Sequence, residues 1–124
     1  MVGEDLPKLR QRRCRQRLSA RATAAITKAA TVMVSPISFY EIGQKVRLGK
    51  WDEMAAWVDR LAEILEEQGG SIASLEPRIC LAASTMPWEH RDPFDRLIAA
   101  SASHYNLPLV SVDTIFDGVV TRVW

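Results

Sequence analysis

Residues 90–113 read HRDPFDRLIAASASHYNLPLVSVD and carry the clearest helix-to-strand pattern in the chain. Asp92-Pro93 predicts the start of a helix, because aspartate caps helices and proline fits their first turn. The helix is expected to reach about His104, and the apolar run Leu107–Val112 predicts a strand. A helix that leads into an apolar strand is the repeating unit of parallel α/β sheets.

The same alternation extends over the whole chain. Predicted helices cover 7–30 in two pieces, the second capped by Ser19, then 35–47, about 52–68 and 77–85, and further predicted strands cover 31–34, 72–75 and 119–123. Strands separated by helices pair in parallel through right-handed crossovers. The predicted fold class is therefore α/β, a three-layer α/β/α sandwich with a parallel central sheet, formed by a single domain over 1–124.

The composition is that of a globular protein. Of 124 residues, 48% are apolar and 25% are charged, which excludes intrinsic disorder. The sequence has neither an apolar run of membrane-spanning length nor an apolar leader, so we expect a cytoplasmic protein with no membrane association. Cys14 and Cys80 form no metal-binding or redox spacing and are expected to be reduced thiols.

The charges are distributed unevenly. Residues 1–30 carry a net charge of +6 and residues 31–124 a net charge of −5. A basic segment over 8–21 is able to follow a phosphate backbone. Such a run is more often the solvated face of a helix.

Acidic side chains gather at predicted junctions between strands and helices. Asp113 directly follows the strand that ends at Val112, and Asp92 and Asp95 lie in the first turn of the preceding helix. Glu41 lies two turns into the helix after the 31–34 strand. Ligand sites of parallel sheets form at the carboxyl ends of strands, and clustered carboxylates suit Mg²⁺ or Mn²⁺.

Each carboxylate also has a purely structural interpretation, which is favoured when the residue is taken alone. Asp92 and Asp95 can cap their helix, since its dipole stabilises anions at its start. Asp113 can begin a turn through an Asx hydrogen bond. Glu41 can pair with Lys45 one turn later.

The remaining candidates are weaker. His90 is expected at the surface or near a phosphate rather than as a catalytic base, and His104 suits the carboxyl end of a helix. The sequence has no phosphate-binding loop, nucleophile elbow or zinc-protease motif. The four tryptophans are expected to pack in the core and at an interface, namely Trp51, Trp57, Trp88 and Trp124.

Four segments resemble PIN-domain nucleases, and most closely the VapC-type toxins of bacterial toxin–antitoxin pairs. They are residues 34–42 (VSPISFYEI), 48–50 (LGK), 90–100 (HRDPFDRLIAA) and 109–113 (LVSVD), the last with Ser111 in place of the family's usual threonine. The similarity covers nearly the whole chain. The HRDPFDR stretch is its most specific part.

The resemblance implies a Mg²⁺- or Mn²⁺-dependent endoribonuclease that hydrolyses RNA phosphodiester bonds. In this family about four acidic residues hold one or two metal ions. Glu41, Asp95 and Asp113 match three of those positions, and Asp92 lies close enough to assist. The implied mechanism is metal-assisted attack of water on phosphorus, without a general-base side chain.

The resemblance also implies binding partners. Arg91 and Arg96 are expected either to neutralise RNA phosphates or to form surface ion pairs. Members of the family usually form homodimers and are held silent by a cognate antitoxin, which packs a helix and a tail along the toxin. Trp51, Trp57 and Leu61 are expected either to line such a groove or to belong to the core.

One departure from the family pattern affects activity. The family opens with an apolar strand that ends in aspartate, and here Glu4 and Asp5 precede Pro7 without a strand. Either Met1 is an internal methionine of a longer product or the chain is a truncated variant. The first is favoured, because truncation would expose strand edges. We expect the 124 residues alone to be poorly active, and the alternative function is a PIN-like domain that only binds an antitoxin, another protein or RNA.

Overall fold

The structure is a computed structural model that describes residues 18–29 and 31–124. The first predicted helical piece, Cys14 and most of the basic 8–21 segment lie outside these residues. The α-helices are Ala20–Lys28 (α1), Pro36–Arg47 (α2), Leu61–Glu67 (α3), Pro77–Thr85 (α4) and Pro93–His104 (α5). The strands are Met33–Val34 (β1), Ser71–Ile72 (β2), Leu109–Val110 (β3) and Arg122–Val123 (β4). Within the part of the chain that is described, no helix is long and apolar enough to cross a membrane.

Two predicted helix starts are confirmed by their hydrogen bonds. The Ser19 hydroxyl accepts from the backbone N–H of Ala22 at 3.0 Å, and the Ser35 hydroxyl accepts from that of Ile37 at 3.1 Å. Each bond satisfies one backbone donor that has no partner within the helix. Pro36 follows Ser35 at the first helical position, where its missing N–H costs nothing.

The predicted helix over 52–68 is only partly correct. Residues Asp52–Arg60 form a 3₁₀ helix, and regular α-helix begins at Leu61. Trp51 and Met54 are both buried and lie three residues apart, which is the repeat of a 3₁₀ helix. The turn after α3 needs glycine, because Gly69 has a φ of +83° and a Cβ on Gly70 would collide with the Leu65 side chain.

Parallel pairing of the strands is confirmed. Met33 of β1 pairs with Ser71 of β2, and Leu109 of β3 pairs with Arg122 of β4. All four strands are two residues long, so they are shorter than predicted. The described residues form two separate two-stranded pieces rather than one complete central sheet.

Two main apolar clusters form the core. The first is Val34, Ile42, Trp51, Met54, Leu61, Ile64 and Leu65, and the second is Ile37, Ala73, Ile98, Ala99, Ala102, Leu109 and Phe116. Trp51 and Leu61 are therefore core residues, which decides between their two expected positions, the core and a partner groove, in favour of the core. Trp57 differs, since it remains 45% exposed.

The helix α4 offers a matched test of this core. Ile79 is fully buried beside Ala83 and Ala100, whereas Leu81 on the same helix is 66% exposed. We expect Ile79→Ala to lower the free energy of unfolding by about 2–5 kcal/mol, because it leaves a cavity. Leu81→Ala should change it by less than about 0.5 kcal/mol. Urea denaturation followed by circular dichroism measures both, and equal losses would contradict the packing described.

Candidate functional site

Asp92 caps the amino end of α5. One oxygen of its carboxylate, Oδ1, accepts from the backbone N–H groups of Phe94 at 2.9 Å and Asp95 at 3.1 Å. The predicted N-cap is thus confirmed. The cap holds Asp95 in the first turn of the helix, where the backbone dipole favours a negative charge.

Asp113 lies just beyond β3 and is held from both sides. Its backbone N–H donates to the Ser111 hydroxyl at 3.1 Å, and its Oδ1 accepts from the N–H of Ile115 at 3.0 Å. The predicted Asx turn is confirmed, and Ser111 is buried where the family usually has threonine. The Asp113 carboxylate is therefore fixed at the carboxyl end of a strand while its residue stays exposed.

The helices that carry Glu41 and Asp95 meet at an aromatic contact. The rings of Tyr40 and Phe94 lie 5.1 Å apart and are inclined at 55°. Each ring belongs to the residue immediately before one of the two carboxylates. Ile42, on the other side of Glu41, is buried in the first core cluster, so α2 is anchored next to α5 at this point.

His90 contacts the site in a way that the sequence pattern did not predict. Its Nε2 lies 2.7 Å from Oδ2 of Asp95, and both side chains are about a quarter exposed. The imidazole also packs against the ring of Trp88, with the ring centres 4.9 Å apart. His90 is therefore a hydrogen-bond partner of a predicted site residue rather than an isolated surface group.

The surroundings of Asp95 disfavour the charged form of its carboxyl group. Burial raises the pKa of this carboxyl, and the negative charges of Asp92 and Asp113 raise it further. The hydrogen bond and the charge of His90 lower the pKa, but the net direction is upward. Asp92 and Asp113 thus lie close enough to Asp95 to disfavour its negative charge.

Arg96 turns inward instead of facing a substrate. Its guanidinium donates to four backbone carbonyls, those of Ala83, Met86, Trp88 and His90, at distances between 2.6 and 3.0 Å. These bonds occupy four of the five N–H groups of the side chain. The geometry favours neither predicted role for Arg96, the phosphate contact or the surface ion pair.

Arg122 brings a second cation to the end of β3. It donates to the Asp117 carboxylate at 2.6 Å and to the backbone carbonyl of Ser111 at 3.1 Å. The hydrogen bond to Asp117, and less strongly the charges of Asp117 and Asp113, raise the pKa of Arg122. Sequence reasoning missed this residue, since nothing in the pattern around 122 links it to Asp113.

Comparisons with known proteins assign the chain to a family. The family model for the PIN domain matches residues 14–120. The chain belongs to the PIN-domain family. It is also 31% identical over 102 residues to "Ribonuclease VapC22" of Mycobacterium tuberculosis, an alignment that covers 79% of this chain and 75% of that protein. This similarity confirms the resemblance to the VapC-type group. No solved structure matches the chain significantly.

PIN-domain proteins of the VapC type generally depend on a divalent metal, and Asp95 allows the fit to be tested here. A carboxyl whose pKa is raised by burial and by two neighbouring carboxylates gains from a cation placed between them. The donor set, all carboxylate oxygen, suits Mg²⁺ or Mn²⁺. Within 18–29 and 31–124, however, no three acidic, histidine or cysteine side chains lie close enough to bind one ion. The described carboxylates fit the metal in chemistry but do not complete its ligand shell.

A cavity of about 300 Å³ lies elsewhere in this PIN domain. Its walls include Asn106, Pro108, Val120 and Thr121. These residues precede β3 and β4, whereas Asp113 follows β3. The cavity and the carboxylates therefore lie at opposite ends of these strands, and the candidate site is not the cavity.

The raised pKa of Asp95 predicts that removing its charge stabilises the protein. Because its pKa is higher in the folded state, unfolding becomes easier as pH rises from the ordinary aspartate range through the raised pKa, and the penalty persists above it. Asp95→Asn keeps an oxygen that can accept from His90 but removes the charge. We expect it to raise the melting temperature at pH 8 and to leave it unchanged near pH 3, as measured by calorimetry without metal. Asp59→Asn, in the exposed 3₁₀ segment, is the control, and equal shifts in both variants would contradict the electrostatic account.

Proposed function

We propose that this chain is a metal-dependent endoribonuclease toxin of a toxin–antitoxin pair. The catalytic residues are Glu41, Asp95 and Asp113, which hold Mg²⁺ or Mn²⁺ with assistance from Asp92. The substrate is RNA, which is hydrolysed at a phosphodiester bond. The family and the printed name of the Mycobacterium relative support a ribonuclease.

The observation that carries the proposal is the electrostatic coupling of Asp95 to Asp92 and Asp113. The carboxylates of Asp92, at a helix start, and Asp113, at a strand end, both disfavour a negative charge on Asp95. A purely structural set of caps would not need Asp95 to be partly buried against two like charges. Active sites are where such unfavourable placements are retained.

The residues of the chain have separable tasks in this mechanism. Asp95 is oriented by His90, and Asp113 is oriented by the Asx turn at the end of β3. One oxygen of Asp92 accepts the hydrogen bonds that cap α5, so Asp92 supports the binding of the metal rather than acting as a principal ligand. Arg91 is exposed beside these carboxylates in the sequence and is the proposed phosphate contact. When bound, the divalent ion supplies an activated water and neutralises the charge that develops on the leaving oxygen.

The partners and location of the protein follow from the same proposal. A cognate antitoxin would hold the nuclease silent, and the toxin would act in the cytoplasm as a homodimer with no membrane association. Trp57 is the exposed aromatic residue of the 3₁₀ segment and is a suitable contact for a partner helix. Trp51 and Leu61 lie in the core and are not available for this contact.

A second candidate function is a PIN domain that binds an antitoxin, another protein or RNA without cutting. One observation favours it: among the residues described, no set of three ligands surrounds a single metal position. A metal-dependent ribonuclease loses cleavage in EDTA. A binding module that uses basic residues keeps its RNA affinity in EDTA but loses it in salt.

Cleavage of labelled single-stranded RNA tests the proposal. We expect slow cleavage in Mn²⁺ or Mg²⁺, because the described carboxylates do not complete a ligand shell, and none in EDTA. Asp95→Asn and Asp113→Asn should each lower the rate by more than about 100-fold, since removing a ligand exceeds the roughly 10–100-fold cost of losing a group that only supports one. The readout is the single-turnover rate at saturating metal.

Asp59→Asn serves as the control, because it removes one acidic charge from an exposed position outside the site. It should cleave RNA at the wild-type rate. Wild-type protein that binds RNA in EDTA but does not cleave it with either metal would support the binding module instead. Cleavage that survives both substitutions would place the chemistry elsewhere.

A further inference from the structure

The loop between α4 and α5 shows an arrangement that the proposed chemistry does not use directly. This α4–α5 loop spans residues 86–92 and joins the end of one helix to the cap of the next. The carbonyls of Met86, Trp88 and His90, at every second position, all accept from the guanidinium of Arg96. The loop is thus wrapped around a side chain from the first turn of α5.

The same guanidinium also forms a hydrogen bond with the last turn of α4. The Nε of Arg96 donates at 2.8 Å to the carbonyl of Ala83, which is one of the last four carbonyls of that helix. These carbonyls have no partner within the helix and carry its negative partial charge, so a cation there is favourable. Arg96 therefore joins the carboxyl end of α4 to the amino end of α5.

The loop in turn sets the position of His90. The His90 carbonyl is held at 3.0 Å by Arg96, and its imidazole is packed against Trp88, whose own carbonyl is held at 2.6 Å. With the backbone and one ring face constrained, Nε2 is directed at Oδ2 of Asp95. Trp88 also lies 5.9 Å, between ring centres, from Phe116 in the turn after Asp113.

We infer that Arg96 and His90 are positioning residues, which act in series through the α4–α5 loop to orient the Asp95 carboxylate. The inference rests on the proposed function, in which Asp95 is a metal ligand. Oδ2 of Asp95 is committed to His90, and this bond sets the direction in which Oδ1 points. Groups that hydrogen-bond a ligating carboxylate fix its orientation and set the affinity of the site.

A pair of substitutions at His90 separates this role from a merely structural one. His90→Phe keeps a ring against Trp88 but removes the donor to Asp95, whereas His90→Gln restores an N–H donor without the ring. We expect His90→Phe to weaken Mn²⁺ binding by about 10–100-fold, and His90→Gln to recover most of the affinity. Electron paramagnetic resonance of Mn²⁺ measures binding without turnover, and the melting temperature in the same buffer reports on folding.

His104→Phe is the matched control. His104 lies at the other end of α5, packs on Tyr105 with ring centres also 4.9 Å apart, and lies 3.7 Å from a carboxylate, that of Glu76. It should bind Mn²⁺ like the wild type. His90→Phe with wild-type affinity would overturn the inference, as would a loss of affinity that His90→Gln does not recover.

Arg96→Lys tests the first member of the series. Lysine keeps the charge but not the planar fork of donors that reaches four carbonyls. We expect kcat and Mn²⁺ affinity to fall about tenfold or more while KM for RNA stays within about threefold. Arg60→Lys, at an exposed ion pair with Glu63, is the control. A rise in KM alone would identify Arg96 as a phosphate contact instead and overturn its positioning role.

The two proposals fail in different ways. Wild-type protein that neither binds Mn²⁺ nor cleaves RNA would overturn the proposed function and this inference together. Wild-type protein that does both, while His90→Phe and Arg96→Lys behave like their controls, would overturn the inference alone. An Arg96→Lys chain that does not fold leaves the His90 pair as the deciding measurement.

Discussion

The position of the candidate site depends on the burial of α5. Its residues 98–102 are all buried, so the middle of the helix is enclosed on every side rather than along one stripe. Ala99, Ala100, Ser101 and Ala102 are small, which lets neighbouring elements approach closely. Because this buried part is packed on all sides, it fixes the direction in which the first turn, with Asp95 and Arg96, leaves the core.

The first turn of α5 then combines two opposite electrostatic situations. Arg96 donates to backbone carbonyls at the end of α4, a favourable arrangement for a partly buried cation. Asp95 meets Asp92 and Asp113, an unfavourable one that raises its pKa. A favourable and an unfavourable electrostatic arrangement thus occur at adjacent residues, and the hydrogen bonds of Arg96 help to hold Asp95 in its position.

The features that sequence reasoning predicted correctly depend on near neighbours. Ser19, Ser35, Asp92 and Asp113 all accept from backbone N–H groups two or three residues ahead. Such bonds need only local geometry, so a short pattern is enough to recognise them. The parallel pairing was also predictable, because helices between strands leave few other topologies.

The errors have a different origin. The predicted helix over 52–68 assumed one period throughout, yet its first half follows the 3₁₀ repeat, which buries Met54 three residues after Trp51. The hydrogen bond between His90 and Asp95 was not predicted, because nothing in the stretch from 90 to 95 shows that the chain folds back there. That return depends on Arg96 gathering carbonyls from positions up to 13 residues away in sequence.

Residue identities and their order were therefore enough to indicate the family, the alternation of helices and strands, and which carboxylates lie at a helix start or a strand end. These properties follow from side-chain identity and short-range hydrogen bonds. Only the tertiary structure decided what surrounds those carboxylates: His90 on Asp95, Arg96 on the loop carbonyls and Arg122 beside Asp113. The physical reason is that burial, and the charges and donors facing a group, arise from segments distant in sequence that meet only when the core closes.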